Sequence, residues 1–554
     1  MAPEEASKPR SRAWLYILVF ILVLVIVPGA ILYYRARDID EWTRDWIVQE
    51  LAQRFHTRVE LESVHVTAFP EMSATGEKLA IYYQNRPGVP PMIKIQQFTF
   101  RLGFMGILRV PRRIRGIHLD DMVITIPPRG EPPDPQSPPP VYSSKYKVLP
   151  AITIDTIVCD ETTLLILPKK SGKTPLDFDI HDLILTSIAP GKPFSFRGNL
   201  TNAKPVGEIR TNGEFGPWQI DEPGASPVSG SYTFTDADLG PFPGIGGTLS
   251  SSGKYSGVLS NLEVQGQTDT PAFTLDPVGH PVPLHTEFWA TVDGTNGDTY
   301  LHPVNALLAH SRIIANGSVE RVPEKQGHLI VLDVLAPKAR LEDLLQLSTK
   351  SNQPMMTGLV NLKTKMILPP GKVKVLDKLS LAGEFTVTDA RFASSDVREK
   401  LEAFSRRAQG KQKNPDAGSA ISDLHGRFHL KNGVITFEKL TFSIPGAVIA
   451  LDGTYKLRGE ELAFAGELRM DAKISQLVGG KKAIFLKAID PFFSKGGAGT
   501  LIPITISGTR DNPTLEFSVF HKKVSKSFGK PKADAAPDND DSKKTVAPKT
   551  PPGQ

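Results

Sequence analysis

Apolar and polar residues alternate with a period of two, in short runs that recur through most of this 554-residue chain. The runs start with Val59 and Leu61 and continue to Val519, with glycine or Asn-Gly steps between them. Successive side chains of a strand point to opposite faces, so such runs predict half-buried strands joined by tight turns. The pattern therefore predicts a mainly β chain, built as an elongated antiparallel β-groove or sandwich with a few short helices.

A loose repeat lies within this pattern: one glycine, then an alternating strand, then a short polar turn. It recurs at Gly213, Gly230, Gly317, Gly383, Gly426, Gly453 and Gly466. Recurrence of one unit favours a quasi-linear stack of β units over one closed globule. The alternative is that any glycine-rich antiparallel sheet has this appearance.

Residues 13–34 form an uncharged apolar run, preceded by Lys8, Arg10 and Arg12. A helix of that length crosses a hydrocarbon layer of ~30 Å, and we predict a single transmembrane helix there. A cleaved signal peptide is the competing interpretation, but its apolar part is normally shorter and no small-residue cleavage site follows. We expect residues 1–12 to be a cytoplasmic tip and the rest of the chain to be translocated.

Residues 35–56 carry apolar side chains at helical spacing, among them Trp42, Trp46, Ile47 and Leu51. This spacing predicts an amphipathic juxtamembrane helix. Such a helix either lies on the membrane surface or covers the first strand of a β-structure, and we favour the second arrangement.

Breaks in the alternation divide the rest of the chain. Residues 57–395 form a β-repeat region that contains a proline-rich loop at 127–150, and residues 396–410 form a short helix. Residues 411–520 are a second β region, and the Lys-, Asp- and Pro-rich residues 521–554 are expected to be a disordered tail. At roughly 12 residues per strand and turn, about 400 residues give on the order of 33 strands and a stack approaching ~160 Å, less where loops and helices intervene.

The densest strand pattern lies between Ser422 and Val519. Turns at Asn432-Gly433, Pro445-Gly446 and Arg458-Gly459 separate runs whose apolar side chains are expected to share one face. The candidate residues of an apolar groove on that face are Ile435, Phe437, Leu440, Phe442, Val448, Leu462, Phe464 and Ile504.

The same block resembles the C-terminal region of the AsmA family of bacterial envelope proteins. The matching segments are GRFHLKNGVITFEKLTF at 426–442, LDGTYKL at 451–457 and IPITISGTRDNP at 502–513. The resemblance implies an inner-membrane protein with a periplasmic curved β-sheet that handles phospholipid or assists outer-membrane biogenesis, with envelope proteins as possible partners. A structural β scaffold or assembly protein without lipid binding is the alternative, because apolar strand faces also pack on each other in a sandwich.

The motifs of common enzymes are absent: there is no nucleophile elbow, Walker loop, His-Glu-x-x-His or cysteine pair. We therefore expect no enzyme, no cofactor and no metal site. His425 and His429 lie too far apart on a strand to share one ion, and we expect Asp120 and Asp121 to be turn residues.

The net charge is +6, but the basic residues do not form a stripe interleaved with aromatic residues, so nucleic acid is not an expected partner. Cys159, the single cysteine, is expected in the core.

Overall fold

The chain is mainly β, as the alternation predicts, and all of its described strands belong to one long mixed sheet. The computed structural model describes residues 39–527. The gaps are at 56, 68–72, 84–89, 102–111, 127–151, 168–175, 220–221, 276–279, 323–324, 326, 349–353, 355, 411–421, 474–498, 511 and 520–521.

The four α-helices described are α1 (39–55), α2 (Leu341–Ser348), α3 (Val375–Lys378) and α4 (Ser395–Ala408), and residues Pro223–Ala225 form a short 3-10 helix. The strands are β1 (Val59–Glu60), β2 (Ser63–Thr67), β3 (Ser73–Ile81), β4 (Ile93–Arg101), β5 (Arg112–Ile126), β6 (Ile152–Ile166), β7 (Leu176–Ile188), β8 (Phe194–Ala203), β9 (Val206–Phe215), β10 (Pro227–Asp238), β11 (Thr248–Val258), β12 (Asn261–Phe273), β13 (Val282–Val292), β14 (Thr299–Leu308), β15 (Ser311–Arg321), β16 (His328–Arg340), β17 (Met356–Leu368), β18 (Ser380–Phe392), β19 (Ser422–Lys431), β20 (Val434–Ile444), β21 (Ala447–Lys456), β22 (Glu461–Met470), β23 (Thr500–Thr509), β24 (Pro513–Val519) and β25 (Lys522–Ser527).

Each strand pairs with the next along the chain, except that β1 and β2 share the edge position beside β3. One neighbouring pair departs from the expected antiparallel order, because β5 and β6 run parallel and in register. Parallel neighbours need a crossover connection of a dozen residues or more, and the segment 127–151 between them has that length. The sheet also continues directly from β18 to β19, so the β regions on either side of α4 form one structure.

The described part of the sheet has 25 strands rather than about 33, since the estimate assigned every residue to a strand or turn, whereas helices and longer connections take up part of the chain. Its 24 strand positions, 23 intervals at ~4.8 Å, span ~110 Å in the hydrogen-bonding direction. Within the predicted tail, residues Lys522–Ser527 pair with β24 as the edge strand β25. A lysine-rich sequence is typical of an edge strand, which explains why its composition resembled a tail.

One face of the sheet carries most of the apolar side chains of β1 to β24, although hydroxyl side chains such as Thr268 and Thr286 also lie on it in β9 to β13. We call it the apolar face; the opposite face is the polar face. In many strands the alternation of apolar and polar residues shifts by one position partway along the strand. A β-bulge at that point inserts one extra residue, so the apolar side chains before and after it lie on the same face. Bulges at Asp236, Lys338, Asp389 and Lys439 show this, and each of these residues has a positive φ, between 49° and 57°.

The core consists of three clusters on the apolar face. Helix α1 covers the first cluster with Trp46, Ile47 and Leu51, and its Asp40 accepts a hydrogen bond from the Val66 backbone N–H at 2.8 Å. The second cluster lies under α2 in the strands β15 to β19, and the third lies under α4 in β20 to β23. The helices thus cover parts of the apolar face and leave the strands between them uncovered by any described helix.

The repeated glycines lie inside strands, although the sequence pattern indicated a glycine before each strand. Gly213, Gly383 and Gly453, for example, are interior residues of β9, β18 and β21, and all point to the apolar face. Each is paired across the sheet with an aromatic residue, here Phe196, Phe428 and Phe437. At these three positions the repeat therefore places an aromatic ring opposite a glycine, a known means of stabilising glycine within a sheet, whereas Gly317 and Gly466 pair with leucine or isoleucine.

Among the described residues, no helix is both long and apolar enough to cross a membrane. The predicted transmembrane helix at 13–34, the tip at 1–12, the proline-rich loop at 127–150 and the tail beyond residue 527 lie outside the described residues.

Candidate functional site

Seven of the eight candidate groove residues lie on the apolar face of β20, β22 and β23. On β20, the bulge at Lys439 shifts the phase between Phe437 and Leu440, so that these side chains share one face although they are three positions apart. The seven residues on this face are Ile435, Phe437, Leu440, Phe442, Leu462, Phe464 and Ile504.

Val448 lies on the opposite face, contrary to the expectation from the sequence. It pairs with Ser443, while its neighbours Ala447 and Ile449 pair with the apolar-face residues Ile444 and Phe442. The side chain of Val448 is 39% exposed. The apolar run of this strand has residues on both faces, and only the register with β20 decides which of them point to the groove.

Aromatic rings form a connected row over these strands. The ring centroid of Phe437 lies 5.8 Å from that of Phe464 and 6.4 Å from that of Phe385, and Phe385 lies 6.1 Å from Phe428. These separations are typical of favourable aromatic pairs, which contribute about 0.5–1.5 kcal/mol each beyond their buried area. The row joins β18, β19, β20 and β22 into one apolar surface.

Glycines on the intervening strands permit this row. Gly453 pairs with Phe437 on one side and Phe464 on the other, so the two rings meet above a position that has no side chain. A Cβ at Gly453 would lie 2.6 Å from Phe464 Cδ1, inside van der Waals contact. The Phe437, Leu440 and Leu462 side chains are only partly buried, so this surface is accessible, whereas Phe464 is 8% exposed and belongs to the buried cluster beneath it.

Helix α4 closes one edge of this surface. Leu401 and Phe404 pack on the apolar cluster, and the Ser405 hydroxyl donates to the Pro445 carbonyl at 2.7 Å in the turn between β20 and β21. The Ala472 N–H donates to the Ala408 carbonyl at 2.8 Å, which ties the end of α4 to the chain after β22. The helix is therefore held at the strand ends, beside the aromatic row.

Sequence reasoning missed Phe385 and Phe428 as members of this surface. Both follow a repeated glycine by two positions, in Gly383-Glu-Phe and Gly426-Arg-Phe. Residues two apart in a strand share a face, so the repeat itself contained the signal.

A second group of polar side chains lies on the polar face near the start of the sheet. His118 Nε2 lies 3.0 Å from Asp120 Oδ1 and 3.2 Å from Asp160 Oδ2, and the three ligand atoms lie within 4.8 Å of one another. Imidazole and carboxylate are ligands that Zn²⁺ accepts, so these three residues could hold a divalent cation. Asp120 lies inside β5 and not in a turn, which corrects the expectation from the sequence. The sequence pattern that indicates this group is His-x-Asp, because residues two apart in a strand share one face.

Cys159 lies on β6 with none of its surface exposed. Burial, together with the neighbouring charge of Asp160, raises the pKa of the thiol to about 12. The thiolate is the nucleophilic form of cysteine, so this residue is a packing residue of the first cluster.

No protein-family model, no curated protein and no solved structure matches this chain.

Proposed function

We propose that this chain is a single-pass, non-catalytic protein of the bacterial inner membrane, whose periplasmic sheet holds phospholipid acyl chains on its apolar face and so assists outer-membrane biogenesis. The observation that carries the proposal is the apolar face itself. It extends along one sheet from β1 to β24, with hydroxyl groups among its apolar side chains in β9 to β13, and no second sheet is formed by the described strands to cover it.

The chemistry of an acyl chain fits this surface. A flexible hydrocarbon gains free energy with every methylene that leaves water, about 0.8 kcal/mol each, and it requires a continuous apolar lining. Half-buried side chains such as Phe437, Leu440 and Leu462 provide such a lining, while the polar face keeps the outer side of the sheet hydrated. No covalent chemistry is needed for this task.

Two sequence features support the cellular setting of the proposal. The apolar run at 13–34 has the length of a membrane anchor, and the segments at 426–442 and 502–513 resemble the AsmA family. The anchor would hold the start of the sheet at the membrane.

Site-specific photo-crosslinking of the full chain in cells tests the proposal. A benzophenone amino acid is placed at Phe437 on the apolar face or, as the matched control, at Val448 on the polar face of the adjacent strand. We expect phospholipid adducts, detected by mass spectrometry, at position 437 and not at 448. Absence of lipid from 437, or equal labelling at both positions, contradicts the proposal; protein adducts at 437 would favour the scaffold alternative.

A further inference from the structure

The polar face carries an open cavity of about 1060 Å³ across β8 to β14. Its lining comes from two rows of side chains that run across the strands, each residue directly opposite the next. One row, from β8 to β13, is Arg197, Asn212, Ser231, Lys254, Gln265 and Trp289.

The second row lies beside the first, two residues away on each strand, and continues to β14. It includes Arg210, Thr233, Ser252, Gln267 and Glu287. Strands are ~4.8 Å apart, so five intervals make the first row ~24 Å long. A linear polymer lying along the rows would meet a polar side chain at every strand.

The cavity lining includes three cationic side chains that are free to bind a ligand. Arg197, Arg210 and Lys254 are exposed, and none of them forms an ion pair or a side-chain hydrogen bond with another described residue. Glu287 is the only carboxylate among the lining residues. Between these charges stand hydroxyl and amide groups, which both donate and accept hydrogen bonds.

Trp289 gives the cavity a fixed aromatic surface. Its ring stacks on His302, with centroids 4.1 Å apart, and its Nε1–H donates to Glu263 at 2.5 Å. Glu263 also accepts from the Thr291 hydroxyl at 3.1 Å, and Thr291 bonds His302 at 2.9 Å, so a closed set of contacts orients the ring. Because His302 covers one side and the side chain remains 44% exposed, the other side of the ring is open.

We propose that this cavity binds an acidic polysaccharide, with the sugar chain lying across the strands. Carboxylates of the polymer would pair with Arg197, Arg210 and Lys254, the amides and hydroxyls would bond sugar hydroxyls, and one sugar ring would stack on Trp289. Single-stranded nucleic acid needs a series of stacking rings, and this lining has one exposed ring. The inference does not depend on lipid binding, because it concerns the opposite face.

The test is calorimetric titration of the detergent-solubilised full chain with oligogalacturonate, with a neutral cello-oligosaccharide of equal length as the comparison. We expect binding of the acidic oligomer only, with an affinity that falls as salt rises. Trp289→Ala and Lys254→Ala should each weaken binding about tenfold, which corresponds to the loss of one stacking or charge contact. Tyr300→Ala, which removes another exposed aromatic residue outside the cavity lining, should leave binding unchanged.

Lys254 is exposed and has no partner among the described residues, so Lys254→Ala should leave the circular dichroism and the thermal midpoint unchanged. Trp289→Ala also removes the contacts with His302 and Glu263, so the same measurements check that this variant is folded, and the Lys254 variant tests the proposal independently. Three outcomes would overturn the proposal. They are no binding of oligogalacturonate, equal loss of binding in Tyr300→Ala, and equal or tighter binding of single-stranded oligothymidylate.

Discussion

Phe437 and Phe464 meet across an intervening strand because Gly453, which lies between them in register, has no side chain. The same arrangement places Gly426 between Phe385 and the β20 side chains. Contacts between rings two strands apart make the apolar face continuous in the direction of the hydrogen bonds. An acyl chain lying in that direction would find no gap at the glycine.

Gly453→Ala should therefore destabilise the sheet. The new Cβ would overlap the Ala463 carbonyl oxygen and would lie 2.6 Å from Phe464 Cα and Cδ1, so both the neighbouring strand and the ring would have to shift, a crowding that typically costs about 1–3 kcal/mol. The matched control is Gly116→Ala in β5, where a Cβ meets nothing within 4 Å. Urea unfolding of both variants measures the difference, and equal midpoints for the two would contradict the packing described for Gly453.

Cys159 should be inert in the folded chain. With a pKa raised to about 12 and no exposed surface, the thiol has almost no thiolate at neutral pH. We expect no alkylation by iodoacetamide in buffer and complete alkylation in denaturant, followed by mass spectrometry. Rapid modification of the native chain would show that β6 opens.

Two replacements of Cys159 distinguish the effect of lost packing from the effect of an added polar group. Cys159→Ala removes a small apolar group, whereas Cys159→Ser places a hydroxyl in an apolar cluster and should cost about 1–3 kcal/mol if it finds no partner. We expect the serine variant to be the less stable of the two in thermal unfolding, and the reverse order would contradict this environment.

Asp343 fastens α2 to the sheet. The carboxylate is 4% exposed and accepts hydrogen bonds from the Ser311 hydroxyl at 2.7 Å and from the His310 backbone N–H at 3.1 Å. Asp343→Ala leaves both donors without this acceptor and should cost about 1–3 kcal/mol. Asp343→Asn retains one oxygen acceptor and should lose less stability. Backbone hydrogen exchange in α2 should therefore be faster in the alanine variant than in the asparagine variant. Equal exchange rates in the two variants would contradict the anchoring role.

His328 should make stability depend on pH. Burial, with the nearby Arg321 charge, lowers the pKa of this imidazole below its ordinary value of 6.5, and Asp298 opposes the shift only in part. The unfolded chain therefore binds a proton before the folded chain does, and stability is full above pH 6.5 and declines as the pH falls below it. His328→Gln should reduce this decline in urea titrations at pH values above and below 6.5, whereas an unchanged decline would assign the effect to other groups.

The sequence by itself determined the β class, the turns and much of the apolar face. Alternation, glycine punctuation and the Asn432-Gly433 turn are local signals, and seven of the eight candidate residues share the face that they predicted. The anchor, the lipid and the cellular location stay predictions, because they rest on residues 13–34 and on a resemblance.

Only the tertiary structure decided which residues meet. A bulge such as that at Lys439 changes the phase of a strand by one residue, and the register of its partner then assigns each side chain to a face, as it does for Val448. The parallel pairing of β5 with β6, the rings over Gly453 and the rows beside Trp289 join residues from different strands. Periodicity along one strand does not encode its register with the next, so these relationships appear only when the whole sheet has formed.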